Sequence, residues 1–200
     1  MVEEFNVLIV GVGGQGVILM SELLGNAAVR DGLNVRGSEV LGMAVRGGSV
    51  SSIIRIVNGV YGPLIPLGKC DVLVGMEPTE ALRNISYLSS SSTVILNTGA
   101  VIPFTVSLGA SRYPSLNQVI EKLSQAAGKV ITVNASNLAR EAGSQQATNI
   151  VMLGALFGTG KIPIAEETIK RELEARLVAK LVPVNLKAFD LGKESVLASS

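Results

Sequence analysis

Histidine is absent from all 200 residues, and cysteine occurs once, as Cys70. The first absence removes the commonest general base, the commonest metal ligand and every Ser-His or Cys-His nucleophile arrangement. A single thiol closes no internal disulfide and cannot hold an iron–sulfur cluster within the chain. Charge is scarce as well: Asp, Glu, Lys and Arg make up 16% of the sequence and leave a formal net charge of +1. With no basic run and only 4% aromatic residues, nothing indicates a nucleic-acid partner. The longest late apolar run, Ile150 to Phe157, contains Gly154 and falls far short of a membrane span. The opening MVEEFNVLIV lacks the basic start of a secretion signal, so the expected location is the cytoplasm.

What is abundant is apolar surface. Hydrophobic residues make up 48%, and the mean hydropathy is +0.45 without any spanning segment. Two readings fit: surface covered by partners, or a large core under an Ala- and Gly-rich exterior. The first predicts a homodimer when the chain is isolated. The length suits one domain over 1–200, with a helical C-terminal part over 145–195 and no internal repeat.

The chain is organised around Asn6 to Gly16, NVLIVGVGGQG. Val7 to Val10 suit a central strand buried on both faces of a parallel sheet. Glycines can turn sharply and let backbone or ligand approach closely. Helical periodicity follows at once, with Val17, Met20, Leu24 and Ala28 on one stripe. Strand, glycine turn and helix make the first unit of a doubly wound α/β fold. The exposed N–H groups of the turn and the helix N-terminus offer an anion site. Gly11, Gly13 and Gly16 match the G-x-G-x-x-G dinucleotide fingerprint, whose acidic partner belongs about 20 residues further on. Glu39 is the only candidate, and it comes late. Three meanings stay open for the turn: a nicotinamide or flavin site, a site for a phosphate or acyl carrier, and tight strand–helix packing alone.

Further along, the first helix is expected to stop near Asp31-Gly32 and a short second strand to cover Leu33 to Arg36. Gly37 to Ser49, with Arg36, carries four glycines and two arginines beside Val40, Leu41, Met43 and Val45, which reads as an ordered functional loop. A strand over Val50 to Val57 follows, with a hairpin-type turn at Asn58-Gly59 into Val60-Tyr61. Asp71 to Met76 is a buried strand, and Glu77 caps a helix running to about Tyr87. Strands over Thr93 to Asn97 and Val130 to Val133 flank a helix that Ser115 and Gln118 start as a capping box. The remainder is helical: Asn149 to Phe157, an amphipathic Ile164 to Leu181 with three Glu-to-Lys/Arg i,i+4 pairs, and Asn185 to Glu194.

Four stretches together carry a family likeness: Gly11 to Gly16; Gly42-Met43-Ala44-Val45-Arg46-Gly47-Gly48-Ser49-Val50; Asp71 to Leu82 (DVLVGMEPTEAL); and Asn149 to Leu156 (NIVMLGAL). The chain resembles the gamma-type subunit of 2-oxoacid:ferredoxin oxidoreductases, and within that family the subunit that indolepyruvate ferredoxin oxidoreductases call beta. The likeness covers about residues 5 to 190. It implies a three-layer α/β/α sandwich on a Rossmann-like, mostly parallel sheet. It also implies a multi-subunit enzyme that oxidatively decarboxylates a 2-oxoacid, such as indolepyruvate or pyruvate, to an acyl-CoA and passes electrons to ferredoxin. Thiamine diphosphate and iron–sulfur clusters then sit in partner subunits, with coenzyme A as co-substrate and no cofactor on this chain alone. Carried over residue by residue, the turn Gly11, Gly13, Gly14, Gln15 and Gly16 is assigned to phosphate or pantetheine approach, or to contact with a neighbouring subunit. Arg46, Gly47 and Gly48 match the family's Arg-Gly-Gly loop. A guanidinium beside two glycines can hold a carboxylate or phosphate bidentately, or form a structural or interfacial ion pair. Glu39 is expected to pair with Arg46 or support the loop.

Two alternatives remain beside this subunit reading. One is a free-standing NAD(P)-dependent dehydrogenase. It lacks a histidine, and none of Tyr61, Tyr87 and Tyr113 is followed four residues later by lysine. The other is a scaffold subunit whose glycine loops only fit a partner.

Overall fold

The computed structural model describes residues 4–42, 47–59, 61–102, 106, 109 and 112–198. Strand β1 (Glu4–Val12) is buried from Phe5 onward and occupies the middle of a six-stranded sheet. On one side it pairs antiparallel with β3 (Ser49–Val57), which pairs antiparallel with the edge strand β2 (Val35–Leu41). On the other side β4 (Val72–Gly75), β5 (Thr93–Asn97) and β6 (Lys129–Val133) follow in parallel. The order is β2-β3-β1-β4-β5-β6, and only β3 runs against the rest.

Side-chain alternation along the strands splits the core in two. Val7, Ile9, Ile54, Val72, Val74 and Ile95 face one layer of helices: α1 (Val17–Arg30), α4 (Ala135–Ala142), α5 (Thr148–Gly158), α6 (Glu166–Arg176) and α7 (Val182–Leu197). Leu8, Val10, Leu73, Val94 and Leu96 face the other, made by α2 (Pro78–Arg83) and α3 (Leu116–Ala126). The architecture is therefore the expected α/β/α sandwich. Among the described residues no helix is long and apolar enough to cross a membrane.

Several local expectations change with long-range context. The second strand runs to Leu41, so Gly37 to Leu41 belong to a β-hairpin rather than to a loop. Tyr61 lies outside any strand, and Val60 is outside the described residues. The segment after it is held instead by Arg55. This buried guanidinium donates to Glu4, to Asn6 Oδ1 (3.0 Å) and to the carbonyls of Gly62 (2.6 Å) and Leu64 (2.9 Å). Hydrogen bonds from Asn6 and Arg55 hold the Glu4 carboxyl below its ordinary range. The helix expected to reach Leu181 stops at Arg176. Its Glu172 is buried and pairs with Arg30, while Arg176 reaches Glu22 at 3.2 Å, because α6 packs on α1 instead of facing water. Of the three expected pairs along that helix, Glu166–Lys170 is formed, at 2.9 Å. Asp31, just past α1, accepts from Ala165 N (2.7 Å) and Thr168 Oγ1 (2.6 Å) and so caps α6 from a distance.

Cys70 is 1% exposed, and burial pushes its thiol up to about 12. The thiolate is the reactive species, so at pH 8 the folded chain is expected to resist iodoacetamide. Complete alkylation in denaturant but below about 5% in buffer over an hour is the result that mass spectrometry should return.

Candidate functional site

The sheet's carboxyl edge is where the chain's direction of winding reverses. From β1 it crosses toward β3 and β2, and from β4 toward β5 and β6. Open α/β sheets form a ligand crevice at such a switch point. Here the crevice has a volume of about 320 Å³ and lies beyond the ends of β1, β4 and β5.

The glycine turn forms one wall, and its geometry explains most of its glycines without a ligand. Gly13 donates to Gly48 O at 2.8 Å and accepts from Gly47 N at 3.3 Å, so the turn is tied to the tip of the β2–β3 hairpin. The Gln15 carboxamide accepts from Val12 N (2.9 Å) and donates to Met76 O (3.1 Å), joining the ends of β1 and β4. A Cβ on Gly11 would meet Gln15 Oε1 at 2.6 Å and Met76 Cβ at 2.8 Å. Gly16 has φ +78° as the N-cap of α1, and a Cβ there would meet Asn149 Nδ2 at 2.5 Å. Gly14 differs: its φ is +97°, it is exposed, and beyond its chain neighbours no atom of the described residues lies within 4 Å of where its Cβ would stand. It is the position that leaves room for an incoming group.

The other walls come from segments to which the sequence reading assigned no site role. Asn97 ends β5, donates to Met76 O at 3.0 Å and accepts from Gly99 N and Ala135 N, both at 3.3 Å. Ser136 lies in the first turn of α4, and Thr148 and Asn149 begin α5. With Gly16 at the head of α1, three helix N-termini converge on the crevice, each with the positive end of its dipole, although at α4 the Ala135 and Asn137 N–H groups are already bonded to Asn97 and Asn134. No charged side chain is among the lining residues. Asn149 is 7% exposed, and its carboxamide finds no hydrogen-bond partner among the described residues. The residue lines the crevice, so an incoming group can bond to this carboxamide. A neutral, amide-rich cleft at three helix N-termini suits phosphate oxygens or peptide-like amides.

Next to it, Glu77 caps α2 as expected, accepting from Thr79 N (2.8 Å) and Glu80 N (3.1 Å). It also receives the Tyr113 hydroxyl; burial and this carboxylate raise the phenol well above its ordinary range. Glu80 is buried, accepts from Ser49 Oγ at 2.5 Å and pairs with Arg83 at 3.4 Å, linking α2 to the hairpin tip. These carboxylates brace the edge of the crevice. Among the described residues no cluster of three or more Cys, Asp or Glu side chains could hold a metal ion.

The fold thus brings Gly11 to Gly16 together with Gly47 and Gly48, and separates both from Glu39. Because β3 lies between β1 and β2, the end of β2 is not beside the glycine turn, where a dinucleotide's ribose acid belongs. The Glu39 carboxylate instead lies 3.5 Å from Ser21 Oγ, on α1. Arg46, and with it the expected Glu39–Arg46 pair, lies outside the described residues. Asn97 and Ser136 carried no motif that would have singled them out; Asn149 opens the Asn149–Leu156 stretch of the family likeness, which gave it no role of its own.

Comparison with known proteins bears on the family and the fold. The family model described as pyruvate ferredoxin/flavodoxin oxidoreductase matches residues 6–195. The chain is 43% identical over 195 residues to the indolepyruvate oxidoreductase subunit IorB of Archaeoglobus fulgidus, covering 98% of this chain and 96% of that one. It is 27% identical to the pyruvate/ketoisovalerate oxidoreductases common subunit gamma of Thermococcus kodakarensis, covering 90% and 92%. Its fold matches the gamma subunit of a keto/oxoacid ferredoxin oxidoreductase from Geobacter sulfurreducens (TM-score 0.69, 24% identity, 97% of this chain and 99% of that one). It also matches 32% of a chain of 2-oxoglutarate:ferredoxin oxidoreductase from Magnetococcus marinus, solved with 2-oxoglutarate, coenzyme A and succinyl-CoA (TM-score 0.77, 21% identity, 99% of this chain).

Proposed function

Because the chain belongs to the pyruvate ferredoxin/flavodoxin oxidoreductase family, we propose that it is a subunit of a complex that oxidises a 2-oxoacid and reduces ferredoxin. The observation that carries this reading is the 43% identity, over nearly the full length of both chains, to an indolepyruvate oxidoreductase subunit. The gamma subunits shared by pyruvate and ketoisovalerate enzymes stand further away, at 27–28%. An aryl pyruvate such as indolepyruvate is therefore the substrate class we assign to the complex. One buried cysteine and no histidine leave this chain without a ligand set for an iron–sulfur cluster, and we assign the clusters to partner subunits, with thiamine diphosphate placed there by the family resemblance.

This chain's share of the work is binding. We assign the crevice between Gly14, Asn97 and Asn149 to the phosphate or pantetheine portion of coenzyme A. The three helix N-termini would stabilise phosphate charge, and the Asn149 carboxamide would gain the partner it lacks. Asn149→Ala is expected to leave the melting temperature of the isolated chain within about 2 °C of wild type, because no internal bond is lost. In the assembled complex it should raise the KM for coenzyme A about fivefold to tenfold, with KM for the oxoacid unchanged. Equal KM values for coenzyme A would remove that assignment. NADH, NADPH and FAD should not shift the melting temperature of the isolated chain; a shift of several degrees with any of them would revive the dehydrogenase reading.

A further inference from the structure

The glycine turn is gripped from two sides, and both grips lead to α2. On one side Gln15 donates to Met76 O at 3.1 Å, and Met76 directly precedes Glu77, the N-cap of that helix. On the other side Gly13 donates to Gly48 O at 2.8 Å, and the next residue, Ser49, donates its hydroxyl to the Glu80 carboxylate of α2 at 2.5 Å. Hydrogen bonds and chain connections together close a ring through Gly13, Gly48, Ser49, Glu80, Met76 and Gln15. Gly14, the position with room for an incoming group, stands between the two grips.

Glu80 is the member of this ring that the helix itself does not need. It is 5% exposed, and a buried carboxylate costs free energy unless hydrogen bonds meet it. The start of α2 is already served by Glu77, which accepts from Thr79 N and Glu80 N. The two groups that meet the Glu80 carboxylate differ in kind. Arg83 stands 3.4 Å away with its side chain 67% exposed, a pairing that water screens. The Ser49 hydroxyl is closer, and a hydroxyl-to-carboxylate bond of 2.5 Å is short and charge-assisted. Ser49 is also the last residue of β3 paired with β1, opposite Val12. Its side-chain bond therefore fixes the strand end from which Gly47 and Gly48 reach Gly13.

We propose that Glu80 is a positioning residue for the crevice. Through Ser49 and Gly48 it holds Gly13, and with it Gly14, where the bound portion of coenzyme A requires them. Glu80 is not among the residues lining the crevice, so what it supplies is the placement of a wall. A shift of about 1 Å in such a wall weakens binding even when it starts from a residue away from the ligand. Ser49 and Glu80 belong to two separate stretches of the family likeness, Gly42 to Val50 and Asp71 to Leu82, and their bond is where both meet the glycine turn. The proposal rests on the assignment of coenzyme A to the crevice.

The test is steady-state kinetics of the assembled complex, with coenzyme A and the oxoacid varied in turn. Ser49→Ala and Glu80→Ala should each raise KM for coenzyme A about threefold to tenfold, with KM for the oxoacid unchanged. The double variant should be no worse than either single one, because both remove the same bond. Glu80→Gln keeps an acceptor for the Ser49 hydroxyl and should stay within about twofold of wild type, as should Arg83→Ala. A merely structural brace would lower the melting temperature of the Ser49→Ala and Glu80→Ala chains and leave both KM values alone. Unchanged KM for coenzyme A in both variants, effects that multiply in the double variant, or an equal rise in KM for the oxoacid would each overturn the proposal. A wild-type complex whose rate does not depend on coenzyme A would overturn the coenzyme A assignment itself, and the proposal with it.

Discussion

Replacing Gly154 or Gly192 by alanine is expected to lower stability more than any other single-methyl change in this protein. The two glycines lie in the contact between α5 and α7, each against the backbone of the other helix. A methyl on Gly154 would overlap the carbonyl of Phe189, and one on Gly192 would overlap the carbonyl of Val151. Both obstacles are backbone, so no rotamer change relieves them and the helices must separate. Separation would also loosen Phe157 against Phe189, whose rings pack 5.3 Å apart between centroids. Overpacking of a tight core costs about 3 kcal/mol at its upper typical range. For a chain of this size that is a fall of about 6–12 °C in melting temperature. Thermal unfolding followed by circular dichroism measures it. Gly14→Ala makes a useful contrast, since its added methyl meets no atom and only the strain of φ +97° opposes it. Near-wild-type stability of Gly154→Ala would mean that the two helices are not packed this closely.

The second large effect is functional and concerns Arg46. It is the only charged residue between Glu39 and Arg55, and the glycines beside it are placed next to the crevice: Gly47 and Gly48 hydrogen-bond to Gly13. Arg46 itself lies outside the described residues. Our proposal is that it holds a phosphate of coenzyme A or the carboxylate of the oxoacid. Arg46→Ala should leave the isolated chain folded. In the complex it should raise KM for one of the two anionic substrates by roughly 10- to 150-fold, the loss of a charge-assisted hydrogen bond of about 1.5–3 kcal/mol. Kinetics with both substrates varied identify which one. Unchanged KM and kcat, with assembly intact, would leave the residue outside the site.

Much of this was legible locally. The Val7 to Val10 run, the glycine turn and the stripe of α1 needed only periodicity and turn chemistry. The Ser115–Gln118 capping box and the Glu77 cap also depend on residues three or four positions apart, and both are formed. What could not be read depended on partners far along the chain. The insertion of β3 between β1 and β2 is a strand-pairing choice between segments some 45 residues apart. It sets Glu39 apart from the glycine turn, where a ribose acid belongs. That Glu172 is buried against Arg30, with α6 packed on α1, is something no i,i+4 count reveals. Gly11 is crowded by Gln15 and Met76, and Gly16 by Asn149, which a motif match along the sequence does not show. The crevice itself was invisible, since Asn97 and Asn149 are ordinary residues until the fold places both beside Gly14.

The most direct test of the account is an assembly assay. This chain and its partner subunits are purified separately and mixed, and reduction of a viologen dye is followed with an aryl pyruvate and coenzyme A. The account predicts no reduction by this chain alone, and dye reduction that depends on both the oxoacid and coenzyme A once the subunits are combined. Oxoacid- and coenzyme A-dependent reduction by this chain alone, or equal activity of the partners without it, would contradict it.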